Sequence, residues 1–155
     1  MIIWLASYPK SGNTWVRAFI SAYYYSLKGE FDFSLLNKIK QYPDKEFFNK
    51  EFDSVEDVSK EWMSSQKKII QSKTIKFFKT HSCLADFKDR PFITSETTLG
   101  GIYIVRDPRN IFTSIKNFYE MDNDQALKWM VNKNQYIYDI HNFDRDGYSD
   151  FQFIS

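Results

Sequence analysis

The first 29 residues combine an apolar run, a polar loop and a helical pattern, and this order constrains the fold most. Ile2 to Ala6 is short, apolar and rich in β-branched residues, which predicts a buried strand. The polar loop SYPKSGNTW follows at residues 7–15 and contains Gly12, the first glycine of the chain. Apolar residues then recur at helical spacing before Gly29, and we expect them to form the core-facing side of a helix: Trp15, Val16, Phe19, Ile20, Tyr23, Tyr24 and Leu27.

Strand and helix patterns continue to alternate along the rest of the chain. Residues 30–53 lack a clean period and predict loops with short helical pieces. The later predicted elements are a helix at 54–72, strands at 75–79 and 101–105, helices at 108–121 and 124–141, and a strand at 151–154. This alternation favours an α/β fold, in which a parallel sheet carries helices on both faces. The length of 155 residues suits a single domain.

Overall charge and cysteine content exclude several classes of protein. The 21 basic and 20 acidic residues nearly cancel, so we expect no nucleic-acid or membrane partner, and any anion site must be local. Cys83 is the single cysteine, which rules out an intrachain disulfide. The N-terminus lacks a signal-peptide pattern, and the first apolar run is too short for a bilayer. We therefore expect a soluble, cytoplasmic protein, and no metal site, because no His, Cys, Asp and Glu group has ligand spacing.

Three polar clusters follow three predicted strands. They are Lys10-Ser11-Gly12, Lys79-Thr80-His81 and Arg106. In parallel sheets ligands bind at the carboxyl ends of the strands, so the clusters should share one edge. The sequence therefore predicts one site made from all three.

The first loop suits an anion but differs from the loop that binds ATP or GTP. That loop places lysine directly after its second glycine, whereas Lys10 precedes Gly12 here. Backbone N–H groups at a helix start attract anions, and Lys10 adds a full positive charge. Ser11, Asn13 and Thr14 add side-chain donors. The alternative interpretation is an ordinary strand-to-helix turn with a surface lysine.

The other two clusters also offer groups that suit phosphate chemistry. Arg106 and Ser114 stand eight residues apart, and a guanidinium with a hydroxyl suits a phosphate. The alternative is that Arg106 pairs with Asp107 or a neighbouring carboxylate and that Ser114 is merely tolerated within the helix. His81 can accept a proton near neutral pH, and its alternative is a solvent-exposed turn histidine. We expect His141, late in a predicted helix, to be a surface residue.

These residues together resemble a known family. YPKSGNTW resembles the 5′-phosphosulfate loop of the sulfotransferases that use 3′-phosphoadenosine 5′-phosphosulfate (PAPS). IYIVRDPRNIFTSIKNFY resembles their 3′-phosphate segment, and FKTH resembles the segment that ends in their catalytic histidine. The three motifs occur in the family's order. Asn13 stands where many members have Thr.

The resemblance implies a P-loop-like fold and sulfuryl transfer from PAPS to a small-molecule or carbohydrate acceptor, without a metal. It implies that His81 is the general base, that Lys10 stabilises the leaving group, and that Lys79 lies near the sulfuryl group. The implied cofactor contacts are Lys10, Ser11, Gly12, Asn13, Thr14, Trp15, Arg106 and Ser114. Trp15 would stack on the adenine, although it could instead be a core residue of the helix.

The family's later R-K-G segment, which closes over the cofactor, has no counterpart in this sequence. We therefore expect a single domain over residues 1–155 that represents the N-terminal portion of the family domain, without its C-terminal lid. Two alternatives remain: a non-catalytic module that binds PAPS or a related nucleotide, and a nucleoside triphosphate-dependent kinase. The lysine position disfavours the kinase. Neither the acceptor nor the oligomeric state can be read from the sequence.

Overall fold

A four-stranded parallel sheet lies at the centre of the chain. The computed structural model describes residues 1–48, 54–84, 86–133, 135–137 and 152–153. The sheet strands are β1 Ile2–Ser7, β2 Lys40–Gln41, β3 Lys76–Thr80 and β6 Thr98–Ile104. Their order is β2-β3-β1-β6, and each neighbouring pair is parallel, as the alternation of strands and helices predicts.

Four helices and two short antiparallel strand pairs complete the described elements. The helices are α1 Asn13–Tyr25, α2 Val55–Ile70, α3 Pro108–Phe118 and α4 Asn123–Val131. The short pairs are β4 Asp86–Phe87 with β5 Arg90–Pro91, and β7 Tyr136–Ile137 with β8 Gln152–Phe153. Short 3₁₀ turns occupy Phe33–Lys38 and Lys45–Phe47. No helix among the described residues is long and apolar enough to cross a bilayer.

Helices cover both faces of the sheet, as neighbouring side chains of β3 show. Successive strand residues point to opposite faces, so Phe77 and Phe78 face opposite layers. Phe77 contacts Tyr24 of α1, with ring centroids 5.2 Å apart. Phe78 belongs to the same buried cluster as Trp62 of α2. The predicted α/β architecture is therefore confirmed.

Tyr42 lies at the centre of the aromatic core on the α2 side. Its ring contacts those of Trp4, Phe78 and Phe92 at centroid distances of 5.5, 6.1 and 5.8 Å. Its hydroxyl donates a hydrogen bond to the Trp62 carbonyl at 3.0 Å and lies 2.7 Å from Ser65 Oγ. A fully buried phenol thus has both its ring and its polar atom satisfied.

We expect Tyr42→Phe to lower the free energy of unfolding by about 1–2 kcal/mol, because a buried hydrogen-bonded group is removed without loss of ring packing. Urea unfolding of both proteins measures the difference. Tyr23→Phe is the matched control, because Tyr23 is 79% exposed. Equal stability of Tyr42→Phe and Tyr23→Phe would contradict the assigned role of the hydroxyl.

The apolar face predicted for α1 is wrong in large part. Trp15, Phe19, Tyr23, Tyr24 and Leu27 are exposed, whereas the buried residues of α1 are Asn13, Ser21 and Ala22. Arg17 also lies on the inner side, since its Nη2 donates to the Leu36 carbonyl at 2.8 Å. This helix carries apolar residues around most of its circumference, so spacing alone could not identify the side that packs on the sheet.

The C-terminal predictions need correction as well. The helix expected at 124–141 ends at Val131, because Asn132 is extended and β7 follows at Tyr136–Ile137. The predicted fourth strand overlaps β8, which pairs with β7 and not with the central sheet. Residues 138–151 lie outside the described residues, and so does the expectation for His141. The two-residue strand β2, within the segment predicted as loops, was missed.

Candidate functional site

The parallel register brings the three polar clusters to one edge of the sheet. Ala6 of β1 is level with Thr80 of β3, and Ser7 is level with Ile104 of β6. The loop after β1, His81 after β3 and Arg106 after β6 therefore leave the sheet at the same end. This is the arrangement expected from the sequence, and it makes the carboxyl edge the candidate site.

The loop after β1 presents the open start of α1. Gly12 is the N-cap with a φ of 104°, a left-handed conformation that favours glycine, and no side chain caps the helix. Lys10 also adopts a left-handed backbone, with a φ of 64°. A Cβ at Gly12 would meet nothing within 4 Å, so the space above the helix start is open. Such a helix start attracts anions through its N–H groups and its dipole.

Two loop side chains are buried, but they differ in their partners. Ser11 is 7% exposed, and its Oγ has no hydrogen-bond partner among the described residues. Asn13 is 4% exposed, and its Nδ2 donates to the Leu5 carbonyl at 2.8 Å and to Ser7 Oγ at 3.1 Å. Asn13 Nδ2 is therefore committed to β1. Asn13 Oδ1 and Ser11 Oγ, in contrast, both lack the hydrogen-bond partner that buried polar atoms normally have among the described residues.

The two loop residues that begin the outer side of α1 face solvent. Thr14 is exposed, and Trp15 is 83% exposed. The interpretation of Trp15 as a core residue of the helix is therefore wrong. An exposed indole at the start of α1 keeps its flat face accessible to a stacking partner.

Arg106 contacts the backbone of Lys10, and Phe118 contacts its ammonium group. Arg106 Nη1 donates to the Lys10 carbonyl at 3.0 Å, which joins the segment after β6 to the loop after β1. The Lys10 ammonium lies 3.6 Å from the centroid of the Phe118 ring, a cation–π contact with α3. Burial, with a smaller contribution from Arg106, lowers the pKa of Lys10. The loop lysine is thus fixed beside a second cation.

Arg106 does not pair with the carboxylate that follows it. Asp107 caps α3 and forms an ion pair with Arg109, with 2.6 Å between Arg109 Nη2 and Asp107 Oδ2. The interpretation of Arg106 as the partner of Asp107 is therefore wrong. Ser114 lies four residues before Phe118 on α3, so the two share the helix face that meets Lys10.

His81 is partly buried and hydrogen-bonded to β1. Its Nδ1 lies 2.8 Å from the Ser7 carbonyl oxygen and 3.1 Å from Ser7 Oγ. Burial, then the charge of Lys79, lowers the pKa of His81 to about 4, although the hydrogen bond to Ser7 opposes the shift. The ring is therefore neutral at pH 7 and able to accept a proton. The interpretation as a solvent-exposed turn histidine is wrong.

Lys79 lies two residues before His81, at the level of β2. Its Nζ donates to Gln41 Oε1 at 3.0 Å. Burial lowers the pKa of Lys79 to about 8, with smaller contributions from the positive charges of Arg17 and Lys10. Arg17 Nε is buried without a hydrogen-bond partner among the described residues. The positive charges of Lys79, Arg17 and Lys10 repel one another, and a bound anion would relieve this repulsion.

The carboxyl edge carries positive charge without matching negative charge. Within the described ranges, no carboxylate forms an ion pair with any of four basic side chains: Lys10, Arg17, Lys79 and Arg106. The same ranges contain no group of three or more His, Cys, Asp and Glu residues placed to hold a metal. The arrangement is therefore chemically suited to a multiply charged anion.

Comparison of the sequence with protein-family models identifies the family of this chain. A family model described as the sulfotransferase domain matches residues 2–146, which is most of the chain. The chain belongs to the sulfotransferase domain family. A search of curated proteins finds no match to it. The predicted membership of the sulfotransferase family is thereby confirmed, and with it the α/β fold of this domain.

Several residues of the candidate site were not predicted from the sequence. Ser7, Arg17, Gln41 and Phe118 contact or approach the predicted site residues only through the fold. Ser7 stands within the loop motif, yet its partner His81 lies 74 residues away. The spacing of Phe118 four residues after Ser114 was the one available signal, since it places both on one helix face.

Proposed function

We propose that this sulfotransferase domain uses PAPS as donor and transfers its sulfuryl group to a hydroxyl or amine of a small-molecule or carbohydrate acceptor. The observation that carries the proposal is the unpaired positive charge at the carboxyl edge, next to an open helix start. A donor with a phosphosulfate and a separate 3′-phosphate would supply the negative charges that these groups lack. Family membership supports the reaction class.

The proposed contacts with PAPS fall into two groups, one at the start of α1 and one around Arg106. The phosphosulfate would bind the start of α1 through Lys10, Ser11, Gly12, Thr14 and the backbone N–H of Asn13. Ser11 Oγ, buried and unpartnered, favours a ligand at this position. Arg106 and Ser114 would bind the 3′-phosphate, a pairing that suits a guanidinium and a hydroxyl. The exposed Trp15 would stack on the adenine.

The proposed reaction moves one proton and one sulfuryl group. His81 accepts the proton of the acceptor O–H or N–H, and the acceptor atom forms a bond to sulfur. The bond from sulfur to the bridging oxygen breaks, and that oxygen leaves as part of 3′,5′-ADP. Lys10 stabilises the charge that develops on the leaving oxygen, and Lys79 lies near the transferred group. Positioning and electrostatic stabilisation supply the rate enhancement.

Calorimetric titration with 3′,5′-ADP tests the donor site directly. We expect saturable binding to the wild-type chain and its loss in the double variant Lys10→Ala/Arg106→Ala, because each cation contributes about 1.5–3 kcal/mol through charged hydrogen bonds. Lys60→Ala/Lys67→Ala is the matched control, since it removes two cations on α2 that have carboxylate partners. Equal binding by both double variants, or no binding to the folded wild type, would argue against the proposal.

Turnover separates the enzyme from the non-catalytic module. PAPS binding without transfer to any member of a broad panel of phenols, alcohols, amines and sugars would support the module. Binding of magnesium-ATP in preference to 3′,5′-ADP would instead support a kinase.

A further inference from the structure

The contact between His81 and Ser7 determines which ring nitrogen carries the proton. A carbonyl oxygen can only accept a hydrogen bond, and the Ser7 carbonyl lies 2.8 Å from His81 Nδ1. The contact is attractive only when Nδ1 carries hydrogen. The lone pair of the neutral ring is then on Nε2. A base that acts through Nε2 therefore depends on the position of the Ser7 carbonyl.

Asn13 fixes the end of β1 that supplies this carbonyl. Its Nδ2 donates to the Leu5 carbonyl and to Ser7 Oγ. These two bonds hold the last residues of β1, where the strand leads into the loop. Ser7 Oγ is in turn 3.1 Å from His81 Nδ1. Both Ser7 and Asn13 are buried, so water does not compete for these bonds. A continuous chain of hydrogen bonds thus joins α1, β1 and His81.

We propose that Asn13 and Ser7 are positioning residues for His81: they hold the imidazole in the tautomer with hydrogen on Nδ1 and couple its orientation to the phosphate-binding loop. The proposal rests on the proposed function for its catalytic meaning, but the tautomer itself is a property of the ligand-free chain. Asn13 belongs to both systems, because its backbone opens α1 while its side chain serves β1.

This assignment separates two kinds of loop residue. Ser11 has no described hydrogen bond to β1 or His81, so its replacement should affect donor binding alone. Replacement of Asn13 or Ser7 should instead affect the base. In kinetic terms, Ser11→Ala raises the KM for PAPS, whereas Asn13→Ala and Ser7→Ala lower kcat. A shift of about 1 Å in a reacting group can cost about 100-fold in rate, which sets the upper range for kcat.

Nitrogen NMR of the chain labelled with ¹⁵N-histidine tests the proposal without nucleotide or activity. The sequence contains two histidines, and His141→Gln assigns the signals to His81. At neutral pH we expect His81 to be a single neutral tautomer with hydrogen on Nδ1. Hydrogen on Nε2 in the wild-type chain would overturn the proposal before any further variant is made.

Four variants extend the test to the positioning residues. We expect Asn13→Ala and Ser7→Ala to give a mixture of the two tautomers, because each removes the bond from Asn13 Nδ2 to Ser7 Oγ that holds the Ser7 carbonyl against His81 Nδ1. Ser11→Ala should keep the wild-type spectrum. Ser7→Thr retains the Oγ and should retain the single tautomer. An unchanged spectrum in folded Asn13→Ala and Ser7→Ala would overturn the proposal, as would an equal change in Ser11→Ala. Failure of 3′,5′-ADP to bind would contradict the proposed function and leave the tautomer result standing.

Discussion

Replacing His81 with asparagine is expected to reduce sulfuryl transfer by about 10²–10⁴-fold, the usual contribution of a general base. The asparagine amide N–H can occupy the place of Nδ1–H and still donate to the Ser7 carbonyl. It offers no basic nitrogen, however. Steady-state kinetics with PAPS and an acceptor measure the loss, and 3′,5′-ADP titration should show nearly unchanged binding. A rate within about threefold of wild type would contradict the role of His81 as base.

The pH dependence of kcat/KM in the wild type should identify the same base. With a pKa of about 4, His81 loses basicity only as the pH falls towards that value. With a pKa of about 8, Lys79 loses its positive charge as the pH rises through that value. We therefore expect activity to fall below about pH 4 and above about pH 8. In Lys79→Arg, the alkaline fall attributed to Lys79 should move to higher pH, since guanidinium stays charged.

Replacing Lys10 with methionine should reduce kcat by about 10²–10³-fold, the range found when one donor to a developing negative charge is removed. Methionine retains the apolar contact with Phe118 but removes the ammonium. The loss should appear in kcat as well as in donor affinity, because the leaving oxygen gains charge only during transfer. Steady-state kinetics with PAPS as the varied substrate measure both.

Lys68→Met is the matched control for this variant. Lys68 lies in the last turn of α2 and is exposed, so its replacement should leave both parameters within about twofold. If Lys10→Met changed only the KM for PAPS, Lys10 would bind the ground state and transition state equally. The proposed stabilisation of the leaving group would then be wrong.

Local sequence was sufficient to predict the strand–loop–helix unit and the common edge of the three polar clusters. A short apolar run before Ser7 and a proline after Asp107 mark element boundaries through backbone chemistry that acts within a few residues. The parallel order follows from alternation, and the order then aligns the strand ends. These predictions needed no knowledge of side-chain contacts.

The inner face of α1 could not be predicted in this way. Trp15, Phe19 and Tyr23 form an apolar stripe, but Arg17 and Ala22 lie on the inner side. The 3₁₀ turn at Phe33–Lys38 contacts this inner side, where the Leu36 carbonyl accepts a hydrogen bond from Arg17. Leu36 lies outside α1, 19 residues after Arg17, so helical spacing carries no information about this contact.

The loop motif depends on a hydrogen bond from outside it, the one that Arg106 donates to the Lys10 carbonyl. Lys10 has a left-handed backbone conformation, which residues with a side chain rarely adopt. The hydrogen bond from Arg106, 96 positions later in the chain, supports that conformation. The conformation of the loop thus depends partly on the segment that follows β6. Grafting the sequence of residues 7–15 between an unrelated strand and helix would transfer Lys10 but not its backbone conformation. The motif is therefore one of two segments that are both needed for the loop conformation, the other being the segment that contains Arg106.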